Sequence, residues 1–93
     1  MKKSTFITLR YAMIPDTEAR IKNTMSAVFG LSIERITDEL SPDNFEGWDS
    51  LKNMNLAVAL EEEFDISFTD LELTEMMNYS LIKLIVLEHL QND

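Results

Sequence analysis

No cysteine occurs in these 93 residues. A disulfide framework, a thiolate metal site and a native thiol nucleophile are therefore excluded. One histidine is present, His89, which removes most acid–base and metal constellations built on paired imidazoles. Two glycines and two prolines leave the chain few breaks, a poor match to a turn-dense all-β fold and a good one to helices. No apolar run approaches the length of about 18 residues that a membrane span requires. Bases are scarce as well, 8 against 17 acids, for a net charge of −9. That charge repels phosphate backbones and anionic lipid, so nucleic acid and membrane surfaces are poor partners. Basic patches on other proteins are attracted by it instead.

What is present suffices for one small domain. A chain of this length buries only about 60% of its unfolded surface on folding, with little room for a deep pocket beside a core. Lys2, Lys3 and Arg10 fall within residues 1–15, where there is no acid, so the acidity is concentrated from residue 16 onward. The basic opening has the charge of a secretory n-region, but Thr8 and Arg10 interrupt its apolar stretch and no small-residue cleavage site follows. It is basic, hydroxylated and acid-free like an organellar transit segment, yet short for one. Residues 1–15 are read as a flexible N-terminal tail, residues 16–91 as the domain, and the cytoplasm as the compartment.

Helical periodicity starts after Pro15. A first helix is expected from about Thr17 to Phe29, capped by Asp16 or Thr17, with Ile21, Met25 and Val28 as its apolar stripe and Gly30 at its C-terminal end. No period persists from Leu31 to Asp49. The scattered Ile33, Ile36, Leu40 and Phe45 suggest a long loop pinned to the core, with a short helical turn at Ser32–Ile36. So long a connection in a small domain is usually functional. A second helix is expected from Ser50 to about Phe64, and a short third from Thr69, as cap, to Met76. Asn78-Tyr79-Ser80 breaks the pattern. A last helix, Leu81 to about Leu90, is expected to pack through Leu81, Leu84, Ile85 and Leu87. The sum is an all-α bundle of three main helices and a short one.

The second helix has two apolar faces. Advancing about 100° per residue gathers Asn53, Leu56, Ala57, Leu60 and Phe64 on one side, wide enough to meet the other helices. Leu51, Met54 and Val58 form a separate stripe, with Glu61 between the two and Glu62 and Asn55 flanking its far side. A bundle helix needs only one core-facing stripe. The second either packs beneath the 31–49 loop, a fate to which Leu51 is the best suited, or serves as a docking face rimmed by acids, the reading preferred for Met54 and Val58.

Ser50 opens this helix, and from its position alone it reads as an N-cap. The same place suits a phosphodiester on its oxygen, because the first turn presents unpaired N–H groups and the positive end of the helix dipole. Gly47-Trp48-Asp49-Ser50-Leu51, then Leu56, then Ala59-Leu60-Glu61-Glu62-Glu63-Phe64-Asp65-Ile66, resembles the acyl carrier protein family in residues and spacing over roughly residues 17–91. The resemblance implies a four-helix bundle of acyl-carrier type, monomeric, that carries cargo without catalysing reactions. It implies that a phosphopantetheinyl transferase attaches 4′-phosphopantetheine from coenzyme A to the Ser50 hydroxyl, with Asp49 contributing to the magnesium environment of that transfer. Acyl groups would ride on the thiol of the arm, which fits a chain without cysteine. Partners would be acyl-loading and acyl-transferring enzymes with basic docking patches, meeting Leu51, Met54, Val58, Glu61 and Glu62.

Two positions depart from the family's usual pattern. General fatty acid carriers place acids two and five residues after the serine, where this chain has Lys52 and Asn55. The expectation is therefore a carrier dedicated to a specialised pathway, such as polyketide or lipid biosynthesis. Aspartate rather than glycine or histidine before Ser50 argues against a nonribosomal peptidyl carrier. Among other classes, a calcium loop fails because Pro42 would occupy its first ligand position. A hydrolase fails because nothing orients His89 toward Ser50. An acidic helical interaction module without a prosthetic group is the alternative that stands.

Overall fold

The computed structural model describes residues 17–91. The expected tail, its basic residues and the candidate cap Asp16 lie outside that range. Helix α1 occupies residues 17–29 of it, α2 Ser50–Phe64, α3 Asp70–Glu75 and α4 Tyr79–Gln91, with one 3₁₀ turn at Ile33–Arg35 in the long loop. The described residues contain no strand. The all-α architecture is thus the expected one.

Each helix follows from local chemistry. Gly30 ends α1 at φ 71°, donating its N–H to the Ser26 carbonyl at 2.9 Å. A left-handed residue there costs glycine nothing, because no Cβ meets the following carbonyl. Asp65 closes α2 in the same conformation at φ 56°. Thr69 starts α3 with a complete capping box: its side chain accepts from Glu72 N at 3.1 Å, and Glu72 Oε1 accepts from Thr69 N at 2.9 Å.

The core is continuous across the elements. Ile21, Met25 and Phe29 of α1 meet Leu56, Ala57, Leu60 and Phe64 of α2 and Tyr79, Ile82, Ile85 and Val86 of α4. Phe29, rather than the expected Val28, is the third buried residue of the α1 stripe, and Val28 is half-buried beside it. The larger ring reaches Phe45 and Trp48, at centroid distances of 5.5 and 5.0 Å, which Val28 is too short to do.

α4 departs from its expected face. Asn78 does not break the pattern but opens the helix, its Oδ1 accepting from Leu81 N at 2.8 Å. Helix formation then starts at Tyr79, and the fully buried ring of Tyr79 sets the inward direction for Ile82 and Val86 at helical spacing. Ile85 is buried as expected, whereas Leu81 and Leu84 are 37% and 52% exposed. The expected start two residues later selected the wrong leucines.

The long loop is pinned, again as expected. Ile36 and Leu40 are buried, the Leu40 carbonyl accepts from Tyr79 N at 3.1 Å, and Ser80 Oγ donates to the Asp38 carbonyl at 3.3 Å. Lys83 pairs with both Asp38 of the loop and Glu18 of α1, at 3.5 and 3.3 Å. Turns at Thr37–Leu40 and Ser41–Asn44 let the loop descend to Trp48. Its end therefore arrives at a fixed place, the first turn of α2.

Candidate functional site at the start of helix α2

The loop is anchored immediately before the candidate serine. Trp48 is buried, stacks obliquely on Phe29, and donates its indole N–H to Asn53 Oδ1 at 2.9 Å. Asn53 lies on the core-facing side of α2, so one side chain joins the loop's last anchor to the helix's first turn. Gly47 is required by close approach: a Cβ there would overlap the Phe45 ring. In the sequence Trp48 stands only as part of the motif, and its anchoring role emerges with the fold. A lone tryptophan two residues before a helix start, with an amide five residues on, was the available signal.

Asp49, not Ser50, is the N-cap of α2. Its backbone is extended, and Oδ1 accepts from Lys52 N at 2.8 Å, while its carbonyl accepts from Asn53 N at 2.8 Å. Ser50 is the first helical residue and is exposed. The capping role expected of Ser50 is corrected: carboxylate and hydroxyl both cap well, but only Asp49 has the extended backbone the cap position needs. Among the described residues no hydrogen bond engages the Ser50 hydroxyl. It stands on the positive end of α2, where a negatively charged substituent is favoured by the helix dipole.

The residues that follow divide into two faces. Leu56, Ala57, Leu60 and Phe64 are buried, while Leu51, Met54 and Val58 are 69%, 50% and 50% exposed. Packing of Leu51 beneath the loop is excluded by that exposure. An open recess of about 430 Å³ lies on another side of α2, against α1, lined by Asn23, Ala27, Ala59 and Glu62 among others. Glu62 is exposed. Glu61 is half-buried and holds the Phe68 N–H at 2.9 Å, fixing the approach to α3.

Lys52 turns inward, its ammonium donating to the Val28 carbonyl at 3.2 Å, at the C-terminal end of α1. At the opposite end of α2, Arg20 donates to the Glu63 carbonyl and carboxylate, both at 2.7 Å, and lies over the Phe64 ring. The antiparallel pair α1/α2 is therefore tied at each end by one cation from one helix on the last carbonyls of the other, where the helix dipole favours positive charge.

No group of acids and histidine among the described residues could hold a metal ion. His89, distant in sequence from Ser50, is occupied elsewhere: Nε2 lies 2.9 Å from Glu72 Oε1 and the ring packs edge-on to Phe68. The Thr69 N–H first, and His89 next, hold the Glu72 carboxyl below its usual range.

A family model described as a phosphopantetheine attachment site matches residues 19–83. The chain belongs to the acyl carrier protein family. It is 32% identical over 59 residues to an acyl carrier protein of Cyanidium caldarium, an overlap covering 63% of this chain and 69% of that protein. Family members hold 4′-phosphopantetheine covalently and are carriers served by phosphopantetheinyl transferases and acyl-handling enzymes, not catalysts. The site suits such a group: an exposed hydroxyl with no hydrogen-bond partner among the described residues, on a helix start whose cap is supplied by the preceding residue. No helix of the described residues is long and apolar enough to cross a membrane.

Proposed function

We propose that Ser50 is the attachment point of the phosphopantetheine arm and that residues 16–91 form the carrier domain. The observation that supports this reading best is the division of labour at the helix start. Asp49 takes the capping bond, and the Ser50 hydroxyl is exposed and unbonded among the described residues. When attached, the arm supplies a thiol on which acyl groups are carried as thioesters. Ser50 needs no base of its own, because its activation belongs to the transferase. Incubation with coenzyme A and a broad-range phosphopantetheinyl transferase should add one phosphopantetheinyl group by mass, and Ser50→Ala should abolish the gain. Wild-type protein whose mass stays unchanged across several transferases would defeat the reading.

Asp49 has a second role in this proposal. One carboxylate oxygen caps α2, and the other is available to the magnesium environment of the transfer. Asparagine caps as well as aspartate, whereas alanine does not. Asp49→Asn should therefore keep the thermal midpoint and still slow modification. Asp49→Ala should do both kinds of harm, costing about 1 kcal/mol of stability. Equal modification of Asp49→Asn and wild type would remove Asp49 from the transfer.

Leu51, Met54 and Val58, with Glu61 and Glu62 beside them, are the surface proposed to meet partner enzymes as a monomer. Methionine on such a face adapts to partners of differing shape. The pathway proposed is a specialised one, polyketide or lipid biosynthesis, because Lys52 and Asn55 stand where general fatty acid carriers present acids. Turnover by general fatty acid synthase enzymes should be well below that of their own carrier, and equality would refute the assignment.

A further inference from the structure

Lys52 is held at both ends. Its backbone N–H is taken by the Asp49 carboxylate at 2.8 Å, and its ammonium by the Val28 carbonyl at 3.2 Å. Ser50 and Leu51 lie between Asp49 and this doubly held residue. They are exposed and make no side-chain hydrogen bonds among the described residues, so their placement depends on their neighbours. Trp48 fixes the chain just before Asp49 by its bond to Asn53. Lys52 supplies the remaining constraint, tying the first turn of α2 to the end of α1. Arg20 holds the far end of α2 in the same way, so without Lys52 the helix would stay tethered at Glu63 and keep only the Trp48–Asn53 bond as a side-chain anchor near Ser50.

The charge of Lys52 is accordingly directed into the protein. A lysine whose ammonium occupies a helix C-terminus is compensated by the carbonyl dipoles there. It is half-buried, with its stem along the α1/α2 junction. We infer that Lys52 is a positioning residue for the modification of Ser50, setting the serine's place through the Val28 carbonyl rather than meeting partners with its charge. The inference rests on the proposal that Ser50 is the attachment point. It also assigns the departure from an acid at this position a physical use, since a carboxylate there could not bond a carbonyl.

The test compares Lys52→Met, which keeps the stem and loses the bond, with Lys52→Arg, which can restore it. In transferase assays on the full chain, Lys52→Met should lower kcat roughly tenfold, the scale expected when a reacting group is displaced by less than 1 Å. KM and its salt dependence should stay as in wild type, and Lys52→Arg should recover most of the loss. Wild-type kcat in Lys52→Met would overturn the inference. So would a change confined to KM and its salt dependence, the signature of a docking charge. Amide hydrogen exchange on the unmodified chain gives a readout independent of the transferase. Lys52→Met should lose protection in residues 51–54 and keep it at the Glu63 end, and unchanged exchange in the first turn would also overturn it. Should wild type itself resist every transferase, the Ser50 reading falls and the inference with it, whatever the exchange data show about the tether. If Lys52→Met does not fold, Lys52→Ala, which likewise has no side-chain donor, serves in its place.

Discussion

At Ser50 the decisive fact is a difference of one residue. Two adjacent polar side chains compete to cap α2, and the backbone awards the place to Asp49. The hydroxyl next door is left without a bond among the described residues, which is what its proposed modification requires. Gly47 shows how tightly the approach is packed. Gly47→Ala would force the Phe45 ring away from Phe29, and overpacking of this kind costs about 1–3 kcal/mol. A lowered urea midpoint with unchanged cooperativity is the expected result. An unchanged midpoint would mean that the ring swings aside freely. Neither Gly47 nor Trp48 needed a functional label to be noticed, yet their use was not legible. The pairing of Trp48 with Asn53 depends on where the loop ends, which no local pattern states.

Among the α-helices, α3 is the shortest and depends most on its ends. Six residues are too few to be stable alone, so capping and tertiary bonds must supply what propagation cannot. Thr69→Ala removes one half of the capping box and should cost about 1 kcal/mol. Glu72→Ala removes the other half together with the His89 contact, and should cost more than Thr69→Ala in denaturant titrations. The reverse order would show that the Glu72–His89 bond contributes nothing. The capping residue of α3 was readable because Thr-x-x-Glu is a local code. The face of α4 was not. Its leucine spacing admits two start points, and only the burial of Tyr79 against α1 and the loop selects between them.

Over the whole molecule, acid and alkali act through groups that join α1, the loop and α4. The Tyr79 hydroxyl donates to Glu18 Oε2 at 3.0 Å, and Lys83 shares the same carboxylate oxygen. The Tyr79 bond first, with Lys83 adding to it and burial opposing, holds Glu18 below its ordinary value. A lowered carboxyl stabilises the fold above its unfolded pKa of about 4.3 and loses that contribution as pH falls through the folded value. Glu72 follows the same rule, so stability should decline in acid below about pH 4.5. Burial first, and then the bond to Glu18, raises the Tyr79 phenol well above its normal range. A raised group stabilises below its unfolded pKa and loses that contribution as pH rises, here from about pH 10 upward. Tyr79→Phe should cost about 1 kcal/mol at neutral pH through the lost hydrogen bond. Its urea midpoint should then fall less than that of wild type between about pH 9 and 11. Parallel declines in the two proteins would show that Tyr79 does not titrate with unfolding.

By itself the sequence determined the helical class, the positions of α1, α2 and α3, the pinned loop and the candidate serine. These rest on short-range codes: apolar residues at helical spacing, caps, and a motif contiguous around Ser50. It also separated the two faces of α2, since the angle between Leu56 and Met54 is fixed once the helix exists. Tertiary structure decided which of two adjacent residues caps that helix, which leucines of α4 face solvent, and where Lys52 sends its charge. The last two are choices between partners far apart in the chain, while the first turns on the backbone conformation in which the pinned loop delivers Asp49. Lys52 finds the end of α1 only after α1 and α2 have packed antiparallel, and no periodicity within either helix contains that information.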